Sequence, residues 1–287
     1  MWWSPLLPPL GISLLAALAL VPFAIRLCRR YELMDRPGRH KRHKAPVPIL
    51  GGAAMFISYW LAIVCAVTFF PTTFARMSGT LPYVFAGSLI VFLVGLSDDL
   101  SPVSAWVKLL AQVAAGLVLY LGGLRIDPVT IPFYGTVAVG TWSLLITLLW
   151  VVGLSNALNL IDGLDGLASG VSLIGAATLL TIGSIFGDQP VMLLTIALVG
   201  FLAPFLYYNR YPARIFLGDS GSLQLGYYFA VISLLVPIRT YTAAALYLPL
   251  LTLGVPIMET AISFSRRLIS GKSVLTADRR HLFHYLA

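Results

Sequence analysis

Apolar runs of about 15 to 23 residues, separated by short polar breaks, recur along nearly the whole chain. A helix needs about that length to cross a hydrocarbon layer of roughly 30 Å. Within such a layer only helices and closed barrels satisfy every backbone N–H and C=O. The runs predict nine spanning helices, near residues 5–27, 49–70, 81–97, 104–122, 141–158, 167–186, 190–208, 223–237 and 242–263. The expected fold is therefore an all-α polytopic membrane protein, one integral-membrane domain over residues 1–287. Composition agrees: only 10% of residues are charged, against about 25% in a soluble domain. The first run is longer than a signal-peptide core and no small-residue cleavage site follows it, so it reads as a retained helix. Between the fourth and fifth runs, Gly123 to Gly140 sets Asp127, Pro128 and Pro132 among β-branched residues, the pattern of a short external hairpin. Cys28 and Cys65 have neither metal-ligand spacing nor a disulfide framework, and read as apolar filler.

Charge placement sets the orientation. The net charge is +8, but in a chain this apolar, clustered Lys and Arg mark cytosolic loops and anionic headgroups rather than nucleic acid. With the N-terminus outside, sixteen of the nineteen basic residues fall in inner loops, and only Arg76, Arg125 and Arg239 fall outside. The acids, which did not enter that choice, follow it: nine of eleven lie inside, all but Asp127 and Asp188. Every candidate site residue thus faces the cytosol, and an active site is expected there.

The acids form clusters. Asp98 and Asp99 end the third run, where carboxylates beside hydrocarbon commonly hold a cation or relay a proton. As helical neighbours they diverge by about 100° and are suited to two different partners; a solvated helix end would look the same. In NALNLIDGLDGLASG, Asn159, Asp162 and Asp165 recur every third residue and share a face if helical. A capped Gly-rich turn would account for one of those polar groups but not for three. RIFLGDSGS places Asp219 in a Gly-Ser turn, suited to offering a carboxylate to a hard cation and backbone N–H groups to phosphate. Phe216 beside it is either a base-stacking aromatic or a core residue. The first inner loop, DRPGRHKRHKAPVPILGG, carries His43 and Lys44 in a phosphate-contacting setting, with Pro46, Pro48, Gly51 and Gly52 ordering the approach to the second run. His281 and His284 near the end are spaced for a transition metal, yet the companion groups are all oxygen donors, which favours magnesium, with manganese as the alternative. Phosphate or nucleotide contact is the expectation for both histidines.

Taken together, HKRHKAPVPILGG, GLSDDL followed by KLLAQ, NALNLIDGLDGLASG, RIFLGDSGSLQLG and DRRHLFH resemble, in order, the landmarks of the polyprenyl-phosphate N-acetylhexosamine-1-phosphate transferases. That family includes the enzymes that initiate enterobacterial common antigen and teichoic acid linkage, and phospho-MurNAc-pentapeptide translocase. The resemblance implies a magnesium-dependent enzyme of the bacterial inner (plasma) membrane. It would move N-acetylhexosamine-1-phosphate from a UDP-sugar, commonly UDP-GlcNAc, to polyprenyl (undecaprenyl) phosphate. By position it makes Asp219 the magnesium ligand with Asn159 joining it, Asp98 the base on the lipid phosphate, and Asp99 and Asp162 supporting groups. It assigns Asp165 and Phe216 to the uracil ring, and Lys44, His43, Lys108, His281 and His284 to phosphates. The lipid bilayer is the expected surrounding, and a homodimer is left open.

Three positions depart from the family pattern. Pro102 stands where many members carry a further acid, Phe283 interrupts a histidine triplet, and relatives carry at least one more span beyond the position of Ala287. A natural short member, a fragment and a degraded copy are all compatible with the last of these. Three other readings compete. A membrane prenyltransferase would need a second Asp-rich motif, which Asp98-Asp99 followed by Pro102 does not supply. A CDP-alcohol phosphotransferase would carry Arg where Ser169 stands. A cation or proton transporter would set its carboxylates near the bilayer midplane, not at one surface.

Overall fold

The computed structural model describes residues 5–37, 45–131 and 135–236. Among these residues eight helices account for most of the chain: α1 (Leu7–Tyr31), α2 (Gly51–Phe69), α3 (Leu81–Leu100), α4 (Ala105–Leu121), α5 (Ser143–Ile161), α6 (Leu167–Phe186), α7 (Gln189–Asn209) and α8 (Gly218–Leu235). They coincide with the first eight predicted runs, while the ninth, 242–263, lies outside the described residues. Two short antiparallel pairs and two single-turn 3-10 helices, Ala75–Met77 and Gly140–Trp142, complete the order. β1 (Met34–Asp35) pairs β2 (Val47–Pro48) in the register Met34 to Pro48, and β3 (Val129–Ile131) pairs β4 (Gly135–Val137) with Thr130 opposite Thr136. The second pair is the hairpin expected between the fourth and fifth runs.

Helix ends follow local chemistry. Proline opens α1, α3 and α7 within their first two positions, where a missing N–H breaks no helical bond. The side chains of Ser104 and Asp188 cap α4 and α7. Arg29 and Arg30 sit in the last turn of α1, where cations complement the carbonyl end. Gly166 and Gly187, both left-handed, bracket α6.

Six helices, α1, α2, α3, α5, α6 and α7, are long and apolar enough by themselves to cross a membrane. Their outward faces are as apolar as their inward ones: Leu15, Leu61, Leu93, Leu149, Ile174 and Ile185 are all exposed. A soluble domain rarely leaves so continuous an apolar surface bare. The molecule is a mostly helical, multi-pass membrane protein. Helix α4 is shorter, at 17 residues, and α8 is missing from the six for a different reason.

Helix α8 is the axis of the bundle. Every residue from Ser220 to Leu234 is buried, and the helix packs against α2, α3 and α5, with lesser contacts to α6 and α7. Shielded from lipid all round, it has no need of an apolar exterior and carries polar groups that its neighbours satisfy. Ser88 on α3 accepts from Trp60 Nε1 of α2 (2.9 Å) and from Gln224 Nε2 of α8 (3.1 Å), and bonds the Tyr228 hydroxyl (3.0 Å). Trp150 Nε1 of α5 donates to Ser233 Oγ at 2.8 Å. Small residues let the backbones approach, as in other membrane bundles. A side chain at Gly95 of α3 would lie 2.5 Å from the Ser220 Cα, and one at Gly226 would run into the Leu154 carbonyl of α5.

Candidate active site

Four helix ends meet at one end of the bundle: the C-termini of α3 and α5 and the N-termini of α4 and α8. Asp98 and Asp99 come from α3, Lys108 from α4, Asn159 from α5 and Asp219 from α8. The expected end of α3 at Ser97 is exceeded by three residues, so both aspartates are helical and their side chains diverge as neighbours must. Asp98 Oδ1 accepts from the Val103 amide (2.8 Å), which fastens the α3–α4 turn, and its Oδ2 receives Lys108 Nζ at 2.9 Å.

Asp99 turns the other way, onto α8. Its Oδ1 accepts from the Asp219 amide at 2.7 Å, and its Oδ2 accepts from the Ser220 amide at 3.0 Å and from the Ser220 hydroxyl. The first N–H groups of a helix lack intrahelical partners. Here a carboxylate 120 residues away in sequence supplies the cap, with the favourable sign for a helix N-terminus. This explains why α8 begins at Gly218, five residues before the predicted run, with Asp219 in its first turn. It also corrects the expectation that these backbone N–H groups are open to a phosphate, since Asp99 already occupies two of them. Gly218 permits the arrangement: its φ is +73°, and an added Cβ would fall 2.6 Å from Asp99 Oδ2.

Asp219 is thereby aimed at the meeting point. Its Oδ2 receives Lys108 Nζ at 2.7 Å, and its Oδ1 accepts from Asn159 Nδ2 at 3.0 Å. Asn159 donates a second bond to Ser222 Oγ, 2.9 Å away and one helical turn along α8 from Gly218, whose carbonyl that serine hydroxyl bonds in turn. Lys108 therefore bridges the carboxylates of Asp98 and Asp219.

The segment after Asn159 departs from the sequence reading. Asn159, Asp162 and Asp165 do not share a helical face, because α5 ends at Ile161, Asp162 is its cap, and a turn containing Gly163 and left-handed Gly166 follows. Asp162 lies within electrostatic reach of Asp219, Asp99 and Asp165, and burial first, then those like charges, pushes its carboxyl well above the usual range. Asp165 leaves the group, and its Oδ2 accepts from the Ala213 amide at 2.8 Å on the α7–α8 loop. Phe216 lies on that same loop, three residues further on. Its amide donates to the Pro48 carbonyl (2.8 Å), and its carbonyl accepts from the Gly51 amide (3.1 Å). Gly52 likewise donates to Leu217 at 2.8 Å. These bonds join β2 and the start of α2 to the strand of loop that leads into Asp219. The arms of the basic loop are therefore tied to the site, while His43, Lys44, His281 and His284 lie outside the described residues.

Six participants escaped the sequence reading. Ser220 and Ser222 complete the bonding of Asp99 and Asn159, and Asn209 holds the loop by donating to the Ile215 carbonyl (3.0 Å) while accepting from Ser169 Oγ (2.6 Å). Asn156 on α5 donates to Gln112 Oε1 on α4 at 2.6 Å. A usable signal existed for the last pair. Gln112 stands four residues beyond Lys108 and Asn156 three before Asn159, so each continues the face of a residue already selected.

A divalent metal can be tested against this donor set. Among the described residues, no three His, Cys, Asp or Glu side chains cluster as a ready-made metal cage. Two carboxylates, Asp219 and Asp98, do converge on one small cation, the Lys108 ammonium. Magnesium characteristically takes one or two carboxylates and fills its remaining positions with phosphate oxygens and water. The residues fit such an ion shared with a phosphorylated substrate, and do not fit a closed structural site.

Comparison with known proteins agrees with this class of site. Residues 81–237 match the model of glycosyl transferase family 4. That span covers all four helix ends just described, and the chain belongs to this family. Across 276 residues it is 34% identical to a probable undecaprenyl-phosphate N-acetylglucosaminyl 1-phosphate transferase of Bacillus subtilis, covering 96% of this chain and 75% of that protein. It is also 34% identical to a decaprenyl-phosphate N-acetylglucosaminephosphotransferase of Mycolicibacterium smegmatis, over 91% of this chain and 70% of the other. A phospho-N-acetylmuramoyl-pentapeptide-transferase of Streptococcus mutans is 33% identical over 78% of this chain and 70% of its own length.

Proposed function

We propose that this chain transfers N-acetylhexosamine-1-phosphate, with UDP-GlcNAc as donor, to a polyprenyl phosphate, releasing UMP and leaving a polyprenyl-diphosphate sugar for cell-envelope polysaccharide synthesis. The observation that carries the reading is the meeting of Asp98, Lys108, Asn159 and Asp219 at one end of the bundle, from helices up to 121 residues apart in sequence. Membership of a family whose relatives bear the names above supports it.

In this reading a phosphate oxygen of the lipid attacks the β-phosphorus of the nucleotide sugar, the bond to the UMP oxygen breaks, and UMP departs. Both reactants are anions, so positioning and charge neutralisation dominate, as in other phosphoryl transfers. A phosphate monoester is already largely ionised at neutral pH, so Asp98, acting as base, has little proton affinity to supply. Asp219 and Asn159 hold magnesium, or manganese in its place, which when bound neutralises charge on the diphosphate. Asp99 orients Asp219 by capping α8, and Asp162 is a supporting group beside the centre. Lys108 meets the phosphates, as do His43, Lys44, His281 and His284, while Asp165 and Phe216 take the uracil ring. Nine spans with the N-terminus outside would put the centre at the cytosolic face of a bacterial inner membrane. The electrostatic interaction of Asp188 with Arg76 supports placing those two residues on the same side, as that threading requires.

The test is UMP release by the purified full chain supplied with undecaprenyl phosphate and UDP-GlcNAc. Release should require the lipid phosphate and a divalent ion, and Asp219→Ala should abolish it at every magnesium level. Near-normal turnover in that variant removes the metal assignment. No release with a panel of UDP-N-acetylhexosamines overturns the transferase reading.

A further inference from the structure

The ammonium of Lys108 occupies the wedge between two carboxylate oxygens of this site, at 2.9 Å from Asp98 Oδ2 and 2.7 Å from Asp219 Oδ2. Asp219 Oδ2 is the oxygen that a metal held by Asp219 would take. Two cations cannot sit at bonding distance from that one oxygen without strong mutual repulsion. The remaining oxygens are committed elsewhere, Asp98 Oδ1 to the Val103 amide and Asp219 Oδ1 to Asn159. An ion entering the site therefore competes with Lys108 directly. Lys108 has a flexible four-carbon stem and is anchored on a helix capped by Ser104 one turn earlier, so its ammonium can swing away while α4 stays in place.

We propose that Lys108 is an exchangeable internal counter-ion: it holds the Asp98–Asp219 pair closed in the metal-free protein, and a divalent ion displaces it toward the substrate diphosphate. The inference rests on the transferase reading and adds an order to it. Lys108 reaches phosphate only after metal has entered, so metal and diphosphate bind cooperatively, each favouring the arrangement that the other needs. In chemical balance, one ammonium leaves two carboxylates and one divalent cation replaces it, with no proton transferred. Three elements hold the wedge open for the exchange. Asp99 fixes the start of α8, Asn159 fixes the rotamer of Asp219, and the Val103 amide fixes that of Asp98.

The experiment measures Mn2+ binding to the full chain in detergent micelles by the electron paramagnetic resonance signal of the free ion, without turnover. Lys108→Met keeps the stem and removes the charge. It should bind Mn2+ about tenfold more tightly than the wild type, in line with the coupling seen for close charge pairs. UDP-GlcNAc should tighten Mn2+ binding in the wild type and do so less in Lys108→Met. A second measurement keeps the native lysine: reductive 13C-methylation preserves its charge, and the Lys108 methyl resonance, assigned by its loss in the Met variant, should shift as Mg2+ is added. Equal or weaker Mn2+ binding by Lys108→Met, or a Lys108 resonance indifferent to saturating Mg2+, overturns the exchange. Asp219→Asn separates the two levels. If that variant loses Mn2+ binding while Lys108→Met binds like wild type, the exchange alone fails. If Asp219→Asn binds Mn2+ normally, the metal site and the exchange fail together.

Discussion

The cap that Asp99 places on α8 predicts a specific non-additivity between Asp99 and Gly218. Asp99→Ala removes the acceptor of two amide bonds and one hydroxyl bond. Charge-assisted hydrogen bonds contribute about 1.5–3 kcal/mol each, and offsetting the burial of the carboxylate leaves a net loss of about 2–4 kcal/mol. Gly218→Ala acts in two ways. Its φ of +73° costs an L-residue about 1 kcal/mol. In addition, its Cβ would stand 2.6 Å from Asp99 Oδ2 and 2.7 Å from Oδ1, which drives the carboxylate off the helix end and forfeits the same cap. The single Gly218→Ala loss is thus about 3–5 kcal/mol by these figures. In the double variant the methyl no longer meets a carboxylate, and only the strain and one loss of the cap remain, again about 3–5 kcal/mol rather than the sum. The assay is unfolding by SDS in mixed micelles, followed by far-ultraviolet circular dichroism, for the wild type, both single variants and the double. A coupling energy of about 2–4 kcal/mol is expected. Additive losses would refute the claim that the carboxylate and Gly218 act through one contact.

Gly226→Ala should push α8 away from the Leu154 carbonyl of α5, destabilise the bundle by about 1–3 kcal/mol, and lower UMP release by loosening the Asn159 bond to Asp219, as unfolding and turnover assays would show together. Asn159→Asp puts a carboxylate where an amide now donates to Asp219 and Ser222; turnover should fall about a hundredfold or more, since removing one well-placed polar partner costs about 2.7–4 kcal/mol, while the fold persists by circular dichroism. Asp188→Ala removes the cap that accepts from the Val191 amide at the opposite end of the molecule. It should lower stability by about 1 kcal/mol and leave kcat/KM unchanged, and a loss of turnover there would argue against a site confined to the α3–α8 end.

Much of the architecture was legible from one-dimensional patterns because helix formation in lipid is a local matter. Eight apolar runs became eight helices, and the Pro- and β-branched stretch before α5 became the β3–β4 hairpin. The divergence of Asp98 from Asp99 followed from a 100° step. Reading Asn159, Asp162 and Asp165 as one helical face failed at the cap, because Gly163 and the left-handed Gly166 ended α5 before Asp162 could continue it. The sequence by itself also placed the acids and bases at particular helix ends, since charge cannot sit in hydrocarbon without large penalty. Which ends meet was decided only by packing. Gly95 against Ser220 and Gly226 against Leu154 set how closely α3 and α5 approach α8, and that approach delivers Asp99 to an amide 120 residues away and Asn159 to Asp219. Periodicity reports the face a residue occupies along its own helix. The identity of the facing helix depends on complementary surfaces distant in the chain, and only the assembled bundle brings those together.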